Sequence, residues 1–121
     1  MMNEKPGIVE RTKLFAIRII RLYSSLPKTT EAQVIGKQIL RSGTSVGAHV
    51  REGRRSRSDA EMISKTEGAL QELEETMYWL ELLADTRIVK AELLSELVKE
   101  ADELTAILVT SVKTLKLRRR K

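Results

Sequence analysis

From Ile63 to Ala84 the sequence sets Ile63, Thr66, Leu70, Leu73, Met77, Leu80 and Ala84 in a strict alternation of three and four. That spacing gathers them on one face of an α-helix and on neither face of a β-strand. Ser58 and Glu61 stand just before the run as a Ser-x-x-Glu capping box, so its start is marked as well as its period. A stripe this long has to be covered by other helices.

The rest of the sequence supplies them. Phe15, Ile19, Leu22 and Leu26 recur at helical spacing before Pro27 blocks continuation. Thr30, with Gln33 three residues on, reads as the cap of a second helix whose apolar positions are Val34, Ile35, Ile39, Leu40, Val46 and Val50. After a break at Asp85 to Ile88, Leu93, Leu97, Ala101, Leu104, Leu108 and Leu115 repeat the pattern. Aromatics at 3% and only two prolines fit packed helices. The expectation is all-α: one antiparallel up-down-up-down four-helix bundle over residues 1–121, with helices at about 8–26, 30–53, 58–85 and 89–117 and a basic tail at 118–121.

Cysteine is absent, which excludes disulfides, thiolate metal sites and cysteine nucleophiles. Met1 to Gly7 is polar rather than a signal peptide, and no window holds enough uncharged apolar residues to span a membrane, so the expected place is the cytoplasm. The formal net charge of +5 conceals a division: residues 62–103 hold four bases against eleven acids, and the remainder eighteen against six. Such asymmetry points to an anionic partner.

In an up-down bundle the start of helix one, the turn between helices two and three, and the end of helix four share a pole. That pole collects Arg11, Lys13, Arg51, Arg54, Arg55, Arg57, Lys113, Lys116, Arg118, Arg119, Arg120 and Lys121. Arg54, Arg55 and Arg57, with Arg51 one turn earlier, suit phosphate oxygens, and a helix N-terminus lies beside them. The plainer reading is a solvated turn, or pairing with acids of helix three. No recognition helix, zinc finger or aromatic strand surface accompanies the bases, so binding of RNA or DNA would be to the backbone.

Helix two carries Gly36, Gly43 and Gly47 in its interior, each costing about 1 kcal/mol relative to alanine. They fall along one side, which marks either close packing of a neighbouring helix or a subunit interface. His49 is the only histidine, without a second His, a Cys or a Glu-x-x-His pattern beside it; a buried or interface hydrogen bond is expected, and no metal. Adjacent Tyr78 and Trp79 point about 100° apart, so either one ring, Trp79 in particular, meets another subunit or both lie on the flanks of a core Met77 and Leu80. Glu72, Glu74 and Glu75 read as solvated helix surface, and Arg41 is expected to pair with Glu52 and Glu67. No catalytic constellation and no cofactor motif is present.

The run from Arg41 to Gly53, Arg-Ser-Gly-Thr-Ser-Val-Gly-Ala-His-Val-Arg-Glu-Gly, resembles the signature of a bacterial family called the four-helix bundle proteins. It includes proteins encoded by intervening sequences in large-subunit ribosomal RNA genes and is similar to accessory proteins of diversity-generating retroelements. The resemblance continues through Arg54 to Ser58 and Tyr78 to Leu83, and covers about residues 10–115. It implies an up-down bundle, a ring-like homopentamer and, in the retroelement relatives, a basic surface meeting nucleic acid and reverse transcriptase. His49 stands where that pattern usually has Asn, and Val50 where the nearest subgroup usually has an aromatic. The expected function is therefore a non-enzymatic homo-oligomer binding nucleic-acid backbone; the alternative is a scaffold whose basic pole docks an acidic protein.

Overall fold

The helix ends follow from local chemistry. In the computed structural model, which describes residues 6–120, the elements are α1 (Ile8–Ser25), α2 (Thr30–Arg54), α3 (Asp59–Asp85) and α4 (Ala91–Arg119). α1 stops where Leu26 turns extended ahead of Pro27. Thr29, one residue before the expected cap, accepts a hydrogen bond from the backbone N–H of Ala32 at 3.3 Å, leaving Thr30 as the first helical residue. Ser58 caps α3 as its sequence indicates, its Oγ accepting from the N–H of Glu61 at 3.1 Å. Arg87 closes the α3 end in the left-handed region at φ 62. α4 continues through Arg118 and Arg119, so the first two residues of the expected tail are helical.

Consecutive helices pack side by side and α4 returns to α1, while neither diagonal pair brings its backbones within 8 Å. This is an antiparallel four-helix arrangement with an up-down order. The α2·α3 seam is the most extensive and α1·α4 the thinnest. Phe15 and Ile19 of α1, Ile39 and Val46 of α2, Leu73, Leu80 and Leu83 of α3 and Leu104 of α4 are almost wholly buried at its centre. Ile63, Val112 and Leu115 form a smaller apolar cluster between α3 and α4.

The expected stripe on α3 turns out to be one edge of a wider one. Ala69, Thr76 and Leu83 are buried, whereas Leu70, Met77 and Ala84 are only partly covered and line the α3/α4 side. A bundle helix has two flanking neighbours, so its covered face is broader than a two-residue seam. On α4 the buried position is Leu94, and its neighbour Leu93 is 74% exposed. Val34 of α2 is likewise exposed.

Gly36, Gly43 and Gly47 of α2 face α1. A Cβ on Gly36 would meet Leu26 Cδ1 at 2.6 Å, and one on Gly43 would meet Ile19 Cγ1 at 2.7 Å. At Gly47 the nearest atom is Thr12 Oγ1 at 3.4 Å. Ile19 is fully buried and cannot retreat. Gly43→Ala is therefore expected to destabilise the protein by about 1–3 kcal/mol through overpacking. Gly47→Ala should be neutral or stabilise by up to about 1 kcal/mol, since helix propensity outweighs an ordinary contact. Urea unfolding of the two variants beside the parent checks the contrast; equal losses would contradict it.

Candidate nucleic-acid interface

The turn joining α2 to α3 is tied to the helix that precedes it. The Arg55 N–H donates to the Glu52 carbonyl at 3.2 Å, and Ser56 Oγ donates to the Gly53 carbonyl at 2.6 Å. The exposed side chains of Arg54, Arg55 and Arg57 therefore project from a short, hydrogen-bonded frame. Arg51, one turn earlier on α2, shares a shallow cleft with Lys13 of α1. Lys113, Arg119 and Arg120 occupy the last turns of α4, at the same pole by topology. None of these eight exposed bases has a described acid within ion-pair distance.

Other bases expected there are already neutralised. Arg11 holds Glu100 through two bonds of 3.1 and 2.7 Å and reaches Glu103 at 2.8 Å, linking α1 to α4. Those carboxylates, Glu100 foremost, push its already high pKa further up. Arg118 grips both carboxylate oxygens of Asp59 at 2.9 and 2.7 Å, fastening the end of α4 to the start of α3. This pairing holds the Asp59 carboxyl below its ordinary range. Lys116 pairs with Glu67 at 3.1 Å, and Lys65, a base outside the expected set, pairs with Glu52 at 2.9 Å. Lys121 lies outside the described residues.

The α2/α3 flank carries a different set of contacts. Arg41 pairs with Glu72 and Glu75, and not with Glu52 or Glu67, which are taken by lysines. Glu75 also accepts the Trp79 Nε1 hydrogen at 3.0 Å, so the half-covered indole is anchored to its own helix and meets the edge of Tyr78. Glu72 and Glu75 are thus ion-paired rather than merely solvated; Glu74 is exposed. His49 lies over Gly68, whose missing Cβ would sit 3.0 Å from the imidazole Nδ1 and Cε1. Its Nε2 is 3.9 Å from Glu72, beyond hydrogen-bond reach, and its buried Nδ1 has no described partner. Within the single chain the imidazole thus makes no hydrogen bond to a described residue. Deeper in the seam, Thr76 Oγ1 donates to the Glu72 carbonyl at 2.7 Å, so Ser42 must donate to Thr76 across 2.7 Å.

The model of the 23S rRNA-intervening sequence protein family matches residues 4–110. The chain belongs to that family. A crystal structure of a Bacteroides thetaiotaomicron VPI-5482 protein of unknown function, from the S23 ribosomal protein family, is similar at 38% identity with a TM-score of 0.84. The match covers 88% of this chain and 99% of that one. No curated protein matches.

In this member of the intervening-sequence family the Arg41–Gly53 run lies on both seams of α2. Gly43 and Gly47 face α1, whereas Arg41, Ser42 and His49 face α3. Gly68 escaped the sequence reading, although an interior helix glycine of the same cost was its signal. Among the described residues no group of three or more His, Asp or Glu is arranged to hold a metal, and no helix is long and apolar enough to cross a membrane.

Arg41 foremost, then Trp79, holds the Glu75 carboxyl below its ordinary value. A carboxyl with a lower pKa folded than unfolded stabilises the fold above the unfolded value, about 4.3, and loses that contribution as pH falls through the folded one. Asp59 acts in the same direction. Stability should therefore drop as pH falls below about 5. Glu75→Gln should flatten the drop, a change readable in urea midpoints across pH; an unchanged slope would count against the Arg41 pairing.

Proposed function

We propose that the chain is a non-enzymatic, self-assembling helical bundle that holds the phosphate backbone of RNA or DNA on its basic pole. The observation that carries this reading is the contrast between paired and unpaired bases. Arg11, Lys65, Lys116 and Arg118 each have carboxylate partners, whereas Lys13, Arg51, Arg54, Arg55, Arg57, Lys113 and Arg120 are exposed without a described one. Internal ion pairing does not account for the second group.

Guanidinium forks match phosphate oxygens in geometry as well as charge, and four of these arginines lie within seven residues. Of the two acids at the α3 start, Asp59 is committed to Arg118, which leaves Glu61 alone against the arginines of the turn. No aromatic stands among these bases to stack a base, so affinity should come from counterion release and depend little on sequence. Retaining the Arg11–Glu100 and Arg118–Asp59 pairs keeps the pole in shape while the free bases meet the ligand.

Fluorescence anisotropy with labelled single- and double-stranded RNA and DNA tests this directly. Raising salt from about 50 to about 200 mM should weaken binding by at least tenfold or so. Replacing Arg54, Arg55 and Arg57 together with Ala should weaken it by about tenfold or more and reduce the salt slope. Binding indifferent to salt, or unaltered in the variant, would overturn the reading. No binding at low salt, with retention of an acidic polypeptide instead, would make the pole a dock for an acidic protein.

A further inference from the structure

Residues 62–103 hold four bases against eleven acids, an excess opposite in sign to that of the pole. Part of it converges on the α3/α4 side of the bundle, where a groove of about 730 Å³ runs between the two helices. Met77 of α3 and Leu94 and Val98 of α4 line it, with the small residues Ala84, Ala91 and Ser95 at one end. Glu74 and Glu81 stand on its α3 wall and Asp102 on its α4 wall, all three exposed and none with a described cation within ion-pair distance. Lys99 is the one base that lines it. Tyr78, 53% exposed, adds an uncovered ring to the α3 wall. A shallower stretch continues the groove past Leu70 and Val109.

Length and charge restrict the occupant. Acids on both walls disfavour a phosphate or an acidic segment and favour a basic one. From Leu70 to Ala84 the α3 wall rises about 21 Å, the length of a helix of about 14 residues. Glu74 and Glu81, seven residues apart, lie on nearly the same side of α3 and about 10 Å apart along its axis. A helix laid along the groove would meet them with bases at the same spacing and meet the floor with apolar residues at i, i+4, i+7 and i+11. A second copy offers no such helix. Arg18 and Arg21 of α1 line a cleft beside Arg11 and Glu100, and Leu117 is the only large apolar side chain described as exposed among the bases of the α2–α3 turn and the α4 end.

We infer that the α3/α4 groove docks a basic amphipathic helix of another protein, its apolar stripe on Met77, Leu94 and Val98 and its bases against Glu74, Glu81 and Asp102. The docked helix lies on the bundle as a fifth rod. Covering the apolar floor supplies the affinity, and the acids on the two walls fix the register and reject acidic segments. The inference goes beyond the nucleic-acid reading and does not rest on it. Ala84 and Ala91 put the groove beside the α3–α4 turn, at the end of the bundle away from the Arg51–Arg57 turn. One bundle can therefore hold a polyanion at its pole and a cationic helix along its side at the same time.

The probe is a labelled peptide of about 14 residues with leucines at i, i+4, i+7 and i+11 and arginines flanking them, beside a peptide of the same composition in scrambled order. By fluorescence anisotropy the parent protein should bind the first at least about tenfold more tightly than the second. Glu74→Lys with Glu81→Lys should weaken binding by about tenfold or more, with helix content by circular dichroism retained. Ser95→Trp, which fills the groove from an exposed position, should do the same. No binding at low salt, equal binding of the scrambled peptide, or folded variants that bind like the parent would overturn the inference. Light scattering separates the remaining occupant: the Glu74, Glu81 variant should keep the parental mass, and a lower mass would place a second copy in the groove and overturn the inference as well. The Arg54, Arg55, Arg57 triple variant should bind the peptide like the parent, and the Glu74, Glu81 variant should keep at least the parental affinity for nucleic acid, so the two readings fail in different assays.

Discussion

The seating of α2 against α1 is the constraint on which the remaining geometry depends. Gly36 and Gly43 leave room that Tyr23, Leu26 and Ile19 fill, drawing the two backbones together and burying one side of α2 along its length. The opposite side of α2 must then meet α3 by other means. Ser42 and Thr76 form a buried hydroxyl pair, Arg41 spans to two glutamates, and His49 drops over Gly68. One helix thus packs by missing side chains on one seam and by polar fit on the other, which leaves little freedom to slide.

Charge is distributed by the same logic. Where helices lie close enough for reach, acids and bases pair across seams: Arg11 from α1 to α4, Arg118 from α4 to α3, and Lys65 from α3 to α2. Surface pairs of this kind contribute little stability individually, roughly 0–1 kcal/mol for an exposed pair. Their larger effect is to remove charge from the surface potential. What remains exposed is a basic pole at one end and an acidic wall along α3 and α4, so the modest net charge of +5 describes neither surface.

Period and punctuation made the number, order and approximate limits of the helices legible in the sequence. Misplaced residues are those for which adjacent identical or similar side chains compete. Thr29 and Thr30 are both capping residues, and Leu93 and Leu94 are both apolar; three-dimensional packing selects between neighbours that differ by 100° around the axis. The register of α2 on α3, which sequence alone does not give, sets Arg41 against Glu72 and Glu75 instead of Glu52 and Glu67. The bases of the α2–α3 turn were legible from topology, but which bases were already committed was not. That depends on side-chain reach across seams, as Arg11 and Arg118 illustrate.

α1 has 18 residues and α4 has 29, so their helical axes extend about 27 and 44 Å. Two rods so unequal can zip together over only part of the longer one, and their seam is the thinnest of the four. α2 and α3, at 25 and 27 residues, match in length and share the broadest seam. The α2–α3 hairpin is consequently the most extensively joined pair of the bundle, and the α1/α4 line the least. Amide hydrogens should exchange slowest in the hairpin, and opening should begin along the line where the first and last helices meet.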